Sequence, residues 1–339
     1  MSRPFYSSNR FVNRRGFVRD SIAAAAGVAI GGAFSPGHCR AAAGHDQLAF
    51  QARGKQFSCA TGLLRGTLRC GGKSLGLTPL IYNKSGTPIA GKYGLVSHYR
   101  LLDSQHRYGH AGWTWASTAT LLPGGRVQVK WTADAEHPFD MQAEYQWSAP
   151  GALDVTTRVT AHQDLRNFEV FLASYFSGFA EARVYVQHLP DATTTSGLME
   201  ATRALGPWQT YPRDAAAVPI IQDGRWRRPP NPVDWKIMPQ LAAPLALRRD
   251  ANTGLVGLLM APRDDCFAIS TPYGADGHRS LYLSLLGRDI HQDQDAVARA
   301  RLVIAHNVSN ARAITLYQDY EQSLPANAAI SHASHAGAQ

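Results

Sequence analysis

The chain has 339 residues, of which 45% are hydrophobic, 9% aromatic and 17% charged, and its formal net charge is +9 at neutral pH. That is ample apolar material for one large core or two smaller ones, and too little charge for a disordered chain. No apolar run is long enough to span a membrane, and no Lys/Arg block or nucleic-acid motif stands out, which argues against nucleic acid as a partner and against stable membrane insertion.

In chain order, Asn13-Arg14-Arg15-Gly16-Phe17-Val18-Arg19 comes first, then an Ala/Gly-rich run over 22–34, then Ala41-Ala42-Ala43. This succession resembles a twin-arginine export signal. The resemblance implies that 1–43 is cleaved, that the mature chain starts near Gly44, and that the protein is periplasmic or secreted. The plain alternative is an arginine pair before an alanine-rich helix. Residues 1–43 hold six Arg and one Asp, more than half of the net charge. In an oxidising compartment Cys59 and Cys70, which flank the segment ATGLLRGTLR, could close a hairpin, leaving Cys266 as a buried thiol.

From residue 126 the pattern is that of half-buried strands. Val127, Val129 and Trp131 alternate with Arg126, Gln128 and Lys130; Met141, Ala143, Tyr145 and Trp147 alternate with Gln142, Glu144 and Gln146; residues 153–161 keep the same rhythm. Pro123-Gly124-Gly125 and Pro150-Gly151 mark the turns of a meander. A second block of strands is predicted at 245–248, 254–260, 266–270, 281–286 and 298–305. Between the blocks, 188–240 loses periodicity and gains Pro, Arg and Trp, which predicts long surface connections without regular sheet. Ile314, Tyr317 and Leu324 share one face of a predicted helix over 311–324, and 326–339 reads as a disordered tail. So many strands in one domain must close on themselves or pack face to face. The expected fold is all-β: one large antiparallel β-sandwich over 44–325, with long irregular loops and a C-terminal helix.

The order RYGHAGW, GRVQVKWTADAEHPFDMQAEYQW, LDVTTRVTAH, NFEVFLASYF resembles the galactose-mutarotase-like supersandwich proteins over about residues 60–180. The resemblance implies a concave sheet that binds carbohydrate. His110 matches the first histidine of that family, but Ser174 stands where the second would be. The only glutamates after Glu181 are Glu200 and Glu321, so the late catalytic glutamate has no counterpart. Aldose epimerisation is therefore a secondary reading.

Three other readings share the remaining residues. Hydrolysis needs two carboxylates across a glycosidic bond, drawn from Glu144, Glu169 and Asp289. Eliminative cleavage of a uronate polymer needs an imidazole or phenol base, His110 or Tyr175, with Tyr273 and the guanidinium groups of Arg227, Arg228 and Arg263 around the acid group. The third is a sugar-binding envelope protein without chemistry. In all three, His98, His106 and His110 gather near a strand end. Trp113 and Trp115 would share one side if the segment is extended, offering a stacking surface. Each histidine alone reads sooner as a satisfied turn residue, and Asp289 sooner as half of a structural ion pair with Arg288; both tryptophans read alternatively as core, and Glu144 equally as strand exterior. No residue set identifies a cofactor; a metal would have to sit at His98, His106 and His110.

Overall fold

The alternation along 126–161 is realised as three neighbouring antiparallel strands, Arg126–Trp131, Phe139–Ala149 and Ala152–Ala161. In this computed structural model, which describes residues 48–72, 75–189 and 196–325, they belong to a nine-stranded sheet. The other members are Gly197–Glu200, Glu181–Val186, Leu241–Arg249, Leu255–Met260, Asp295–His306 and Thr118–Leu122. Phe139, Met141, Ala143, Tyr145 and Trp147 are buried, and Gln142, Glu144 and Gln146 point the other way.

A six-stranded sheet lies against that apolar face, in the order Lys236–Ile237, Trp208–Pro212, Cys266–Pro272, Ser280–Ile290, Leu165–Tyr175, Ser97–Leu102. Its pairs are antiparallel except the first, which is parallel. From Phe168 onward the strand Leu165–Tyr175 is buried on both sides. Phe168, Val170 and Leu172 join the core shared with the nine-stranded sheet, while Phe171, Ala173 and Tyr175 join a second, aromatic cluster on the opposite face. A strand covered twice loses the polar half of its alternation, which is why this segment reads as a nearly continuous apolar run.

A third, five-stranded sheet precedes these two, formed by Phe50–Arg53, Gln56–Ala60, Leu64–Arg69, Gly76–Tyr82 and Thr87–Pro88. It contributes Phe57, Leu68 and Leu80 to the common core, and the Phe50 ring meets Trp147 at 6.0 Å. The sequence pattern had not marked these strands. The helix Asn310–Ser323 is capped by Ser309, whose Oγ accepts from the Arg312 amide, and lays Ala313, Tyr317 and Tyr320 on the outer face of the nine-stranded sheet. The described residues from 48 onward pack as one compact unit. Among them no helix is long and apolar enough to cross a membrane.

Two expectations need correction. The segment 188–240 is not without regular structure: Trp208–Pro212 enters the six-stranded sheet, and a short helix, Ala217–Gln222, follows. Pro212 ends its strand and Pro219 sits in the first turn of the helix, where no ladder or helix donor is missed. Nor do Cys59 and Cys70 form a disulfide. The register sets Cys59 opposite Gly66 and Arg69 opposite Gln56, so Cys70 falls about four residues, roughly 13 Å, further along the ladder. That is about twice the reach of a disulfide.

Candidate functional site

The aromatic face of the six-stranded sheet is the floor of a pocket of about 430 Å³. Phe171 and Tyr175 rise from one strand and Tyr282 from its neighbour, with the Phe171 and Tyr282 rings 4.5 Å apart. The third contributor, the strand Ser97–Leu102, reaches the floor through an irregularity. Leu172 pairs with His98 and Phe171 with Arg100, so Tyr99 is an extra, bulged residue. In a regular strand His98 and Arg100 would share a face; the bulge separates them. His98 turns into the inter-sheet core and Arg100 turns into the pocket.

The walls come from two connections. One is the turn RYGHAGW. Gly109 holds φ +59° there, and a Cβ on it would lie 2.9 Å from Trp115 Nε1. Residues Gly112–Thr114 then form one turn of 3-10 helix, so Trp113 and Trp115 do not share a side. Trp113 faces the pocket, parallel to Tyr99 at 4.5 Å and to Tyr93 at 5.8 Å. Trp115 packs behind the turn on His137 and Phe139.

The other wall is the 203–240 connection, which brings Trp208, Trp226, Asn231 and Trp235 over the sheet. It is pinned by charge. Arg225, fully buried, donates to Glu169 Oε2 at 3.2 Å and to Asp223 Oδ2 at 2.8 Å. Arg228 reaches the Ser104 carbonyl at 2.6 Å, and Arg107 reaches the carbonyls of Arg228 and Pro230. Burial raises the Glu169 pKa, and the Arg225 charge opposes that rise.

Of the sequence candidates, His110, Trp113 and Tyr175 line the pocket, and the others lie elsewhere. His98 is sealed between the sheets, with Nε2 2.9 Å from Thr157 Oγ1, Nδ1 3.4 Å from the Tyr145 hydroxyl, and its pKa pushed down to about 3 by burial. His106 is exposed beside Asp103. Glu144, on the outer face of the nine-stranded sheet, pairs with Arg126 at 2.8 Å. Asp289, exposed near the end of the strand Ser280–Ile290, accepts from the Asn167 amide. Arg263 holds the Ala242 carbonyl, Arg227 pairs with Asp234, and Tyr273 lies under the Arg203 guanidinium. The three carboxylates considered for hydrolysis therefore occupy three separate places, and no Asp or Glu appears among the described residues that line the pocket. No group of three or more His, Cys, Asp or Glu side chains converges among the described residues.

Sequence reasoning missed His278. Its Nδ1 lies 2.8 Å from Asp276 Oδ1, its ring is 5.1 Å from Trp208, and it stands at the pocket mouth. A carboxylate on Nδ1 holds the ring with Nε2 free to accept a proton. The available signal was the spacing Asp276-Gly277-His278 in the turn between the strands predicted at 266–270 and 281–286. Tyr175 and Tyr282 are unsuited to act as bases, because burial raises both phenols above their ordinary range.

No family model matches this chain, and no curated protein matches it. Solved structures do. A galactose mutarotase related enzyme from Lactobacillus acidophilus is 6% identical, with a TM-score of 0.44, and the match covers 75% of this chain and 99% of that one. The GalM/aldose epimerase homologue from C. elegans is 9% identical, with a TM-score of 0.39, over 76% of this chain and 98% of that one. The α-N-acetylgalactosaminidase NagBb from Bifidobacterium bifidum is 10% identical, with a TM-score of 0.48, over 78% of this chain and 38% of that one.

Proposed function

We propose that this chain is an exported carbohydrate-active protein that binds a saccharide in the aromatic pocket and cleaves a glycosidic bond with imidazole groups at the rim. The observation that carries this reading is the pocket's composition: partly exposed rings of Tyr93, Tyr99, Trp208 and Trp235 beside two imidazoles, His110 and His278. Flat rings of this kind stack on the apolar faces of sugars, and their number exceeds what a solvent-filled groove would tolerate. Trp113, only 7% exposed, serves mainly as backing for Tyr93 and Tyr99. Export rests on the twin-arginine-like leader alone.

The chemistry follows from what the rim can do. His278, oriented by Asp276, takes a proton through Nε2, either from a water that forms the new C–O bond or from the carbon beside a uronate carboxylate, whose C–H electron pair forms the new C=C bond; His110, which is exposed, delivers a proton to the departing oxygen. Hydrolysis by a carboxylate pair has no support, given where Glu144, Glu169 and Asp289 lie. The test is to incubate the mature protein with plant, algal and bacterial polysaccharides, following new reducing ends and the ultraviolet absorbance of unsaturated products. His278→Ala and His110→Ala should each lower turnover by about a hundredfold with binding little changed. Trp235→Ala should weaken binding instead. Full turnover in both histidine variants would refute the catalytic roles, and no bound saccharide in any assay would refute the whole reading.

A further inference from the structure

Among the described residues, Arg100 is the guanidinium group lining the pocket, and its needs are left unmet by the fold. Two other buried guanidinium groups lie away from the pocket and are better supplied. Arg225 has Glu169 and Asp223, and Arg248 donates to the carbonyls of Phe179, Gly274 and Ser280 at 2.8, 3.0 and 3.2 Å. Arg100 is nearly as enclosed, at 3% exposure, but has one carbonyl and no carboxylate, where Arg248 has three carbonyls and leaves only Nη2 without a partner. Nη2 donates to the Asn231 carbonyl at 2.7 Å and reaches the Tyr99 hydroxyl at 3.5 Å. The guanidinium carbon lies 5.0 Å from the ring centroids of both Tyr99 and Trp226. Nε and Nη1, which carry three N–H donors between them, have no acceptor. A second cation deepens the imbalance: Arg107 is bonded to carbonyls and to the Tyr99 side chain around the same corner, with no carboxylate among those partners, and burial together with the Arg100 charge pulls its pKa down to about 10.

A guanidinium cannot escape desolvation by losing its proton, so unspent donors at a pocket wall call for an acceptor from outside. Stacking between two rings fixes the plane of the group before anything binds, and little ordering remains to be done on contact. No carboxylate among the described lining residues competes for it. We infer that Arg100 is an anion subsite, and that the saccharide taken by this pocket carries a negatively charged oxygen group, the carboxylate of a uronic acid or the sulfate of a sulfated sugar. This inference rests on the carbohydrate reading above. A neutral sugar offers the Arg100 donors hydroxyl acceptors but no charge to balance the guanidinium, so the pocket favours the anionic one.

The test measures binding of four probes to the full chain: polygalacturonate, its methyl ester, dextran sulfate and unmodified dextran. Wild-type protein should prefer a charged probe over its neutral counterpart by at least about tenfold, and the charged arm that wins identifies carboxylate or sulfate. Arg100→Met should bring that probe down to the level of the neutral one. Arg263→Met removes the same charge from an exposed site away from the pocket and should leave the preference intact, which separates a subsite from general attraction to a basic protein. The comparison of free acid with ester needs no variant, so it stands even if Arg100→Met fails to fold. Equal binding of charged and neutral probes, or a preference untouched by Arg100→Met in a folded variant, overturns the subsite while leaving the saccharide reading in place. Binding of none of the four overturns both.

Discussion

Acid should destabilise this protein through His98, and by an amount that can be worked out. The ring is 1% exposed, caged by Thr157, Tyr145 and the Trp131 indole at 5.2 Å, and its pKa is about 3 in the folded state. In the unfolded chain an imidazole titrates near 6.5. Above that pH neither state binds the proton, and His98 adds no pH dependence. Between about pH 6.5 and 3 the unfolded chain is protonated and the folded chain is not, so stability falls as pH falls. The slope is about 1.4 kcal/mol per pH unit, and the loss from pH 7.5 to 4.5 comes to about 2.7 kcal/mol. His98→Gln keeps an amide able to bond Thr157 and removes the titration. Urea unfolding of both proteins at the two pH values isolates the effect, because the carboxylates common to both cancel. Wild-type protein should lose about 2.7 kcal/mol more than the variant on acidification. Equal losses would mean that the folded protein accommodates an imidazolium at this position, and the cage argument would fail.

Glu169→Ala should cost about 3–5 kcal/mol in the same urea assay, because it strips a fully buried Arg225 of one of its two carboxylates; a loss under about 1 kcal/mol would show that Asp223 alone suffices. Gly109→Ala imposes a left-handed backbone and a Cβ close to Trp115 Nε1, so it should lower stability by about 1–2 kcal/mol and displace His110. Neutral stability with unchanged saccharide binding would count against that account of the turn. Cys59, Cys70 and Cys266 are buried thiols with pKa values raised to about 12 by desolvation, so a thiol reagent at neutral pH should label them only after unfolding, and reductant should not shift the melting temperature. Limited proteolysis should give one resistant core beginning near Gly44, and two separately stable halves divided within 188–240 would contradict a single cooperative unit.

Where one face of a strand meets core and the other meets water, the sequence reveals the strand. Residues 126–161 and the strand Asp295–His306 were therefore legible, as was the terminal helix; the other strands after 240 are largely buried on both faces and were legible as short apolar runs between turns. The site was legible only in part, for reasons local to its residues. His98 looked like a site residue because it lies close in sequence to His106 and His110, and regular alternation would put Arg100 on the same face; the bulge at Tyr99 separates them, sending His98 to the core and Arg100 to the pocket. Trp113 and Trp115 seemed to share a side because two-residue spacing means that only in extended chain, and the 3-10 turn withdraws it. Trp208, Trp226 and Trp235 come from a stretch whose composition says "connection". Their roles depend on how that connection folds back, which no local pattern encodes.

The buried Arg225 bridge has a consequence for how this pocket changes over evolutionary time. Because the 203–240 wall is clasped to the floor at Glu169, the side chains of its tip from Pro229 to Trp235 can vary without disturbing the strands beneath, provided the carbonyls of Pro230 and Asn231 stay in reach of Arg107 and Arg100. Chains that share this barrel-less scaffold would then diverge in diet first at that tip, and a graft of the tip alone, clasp residues retained, would carry its selectivity to a new host.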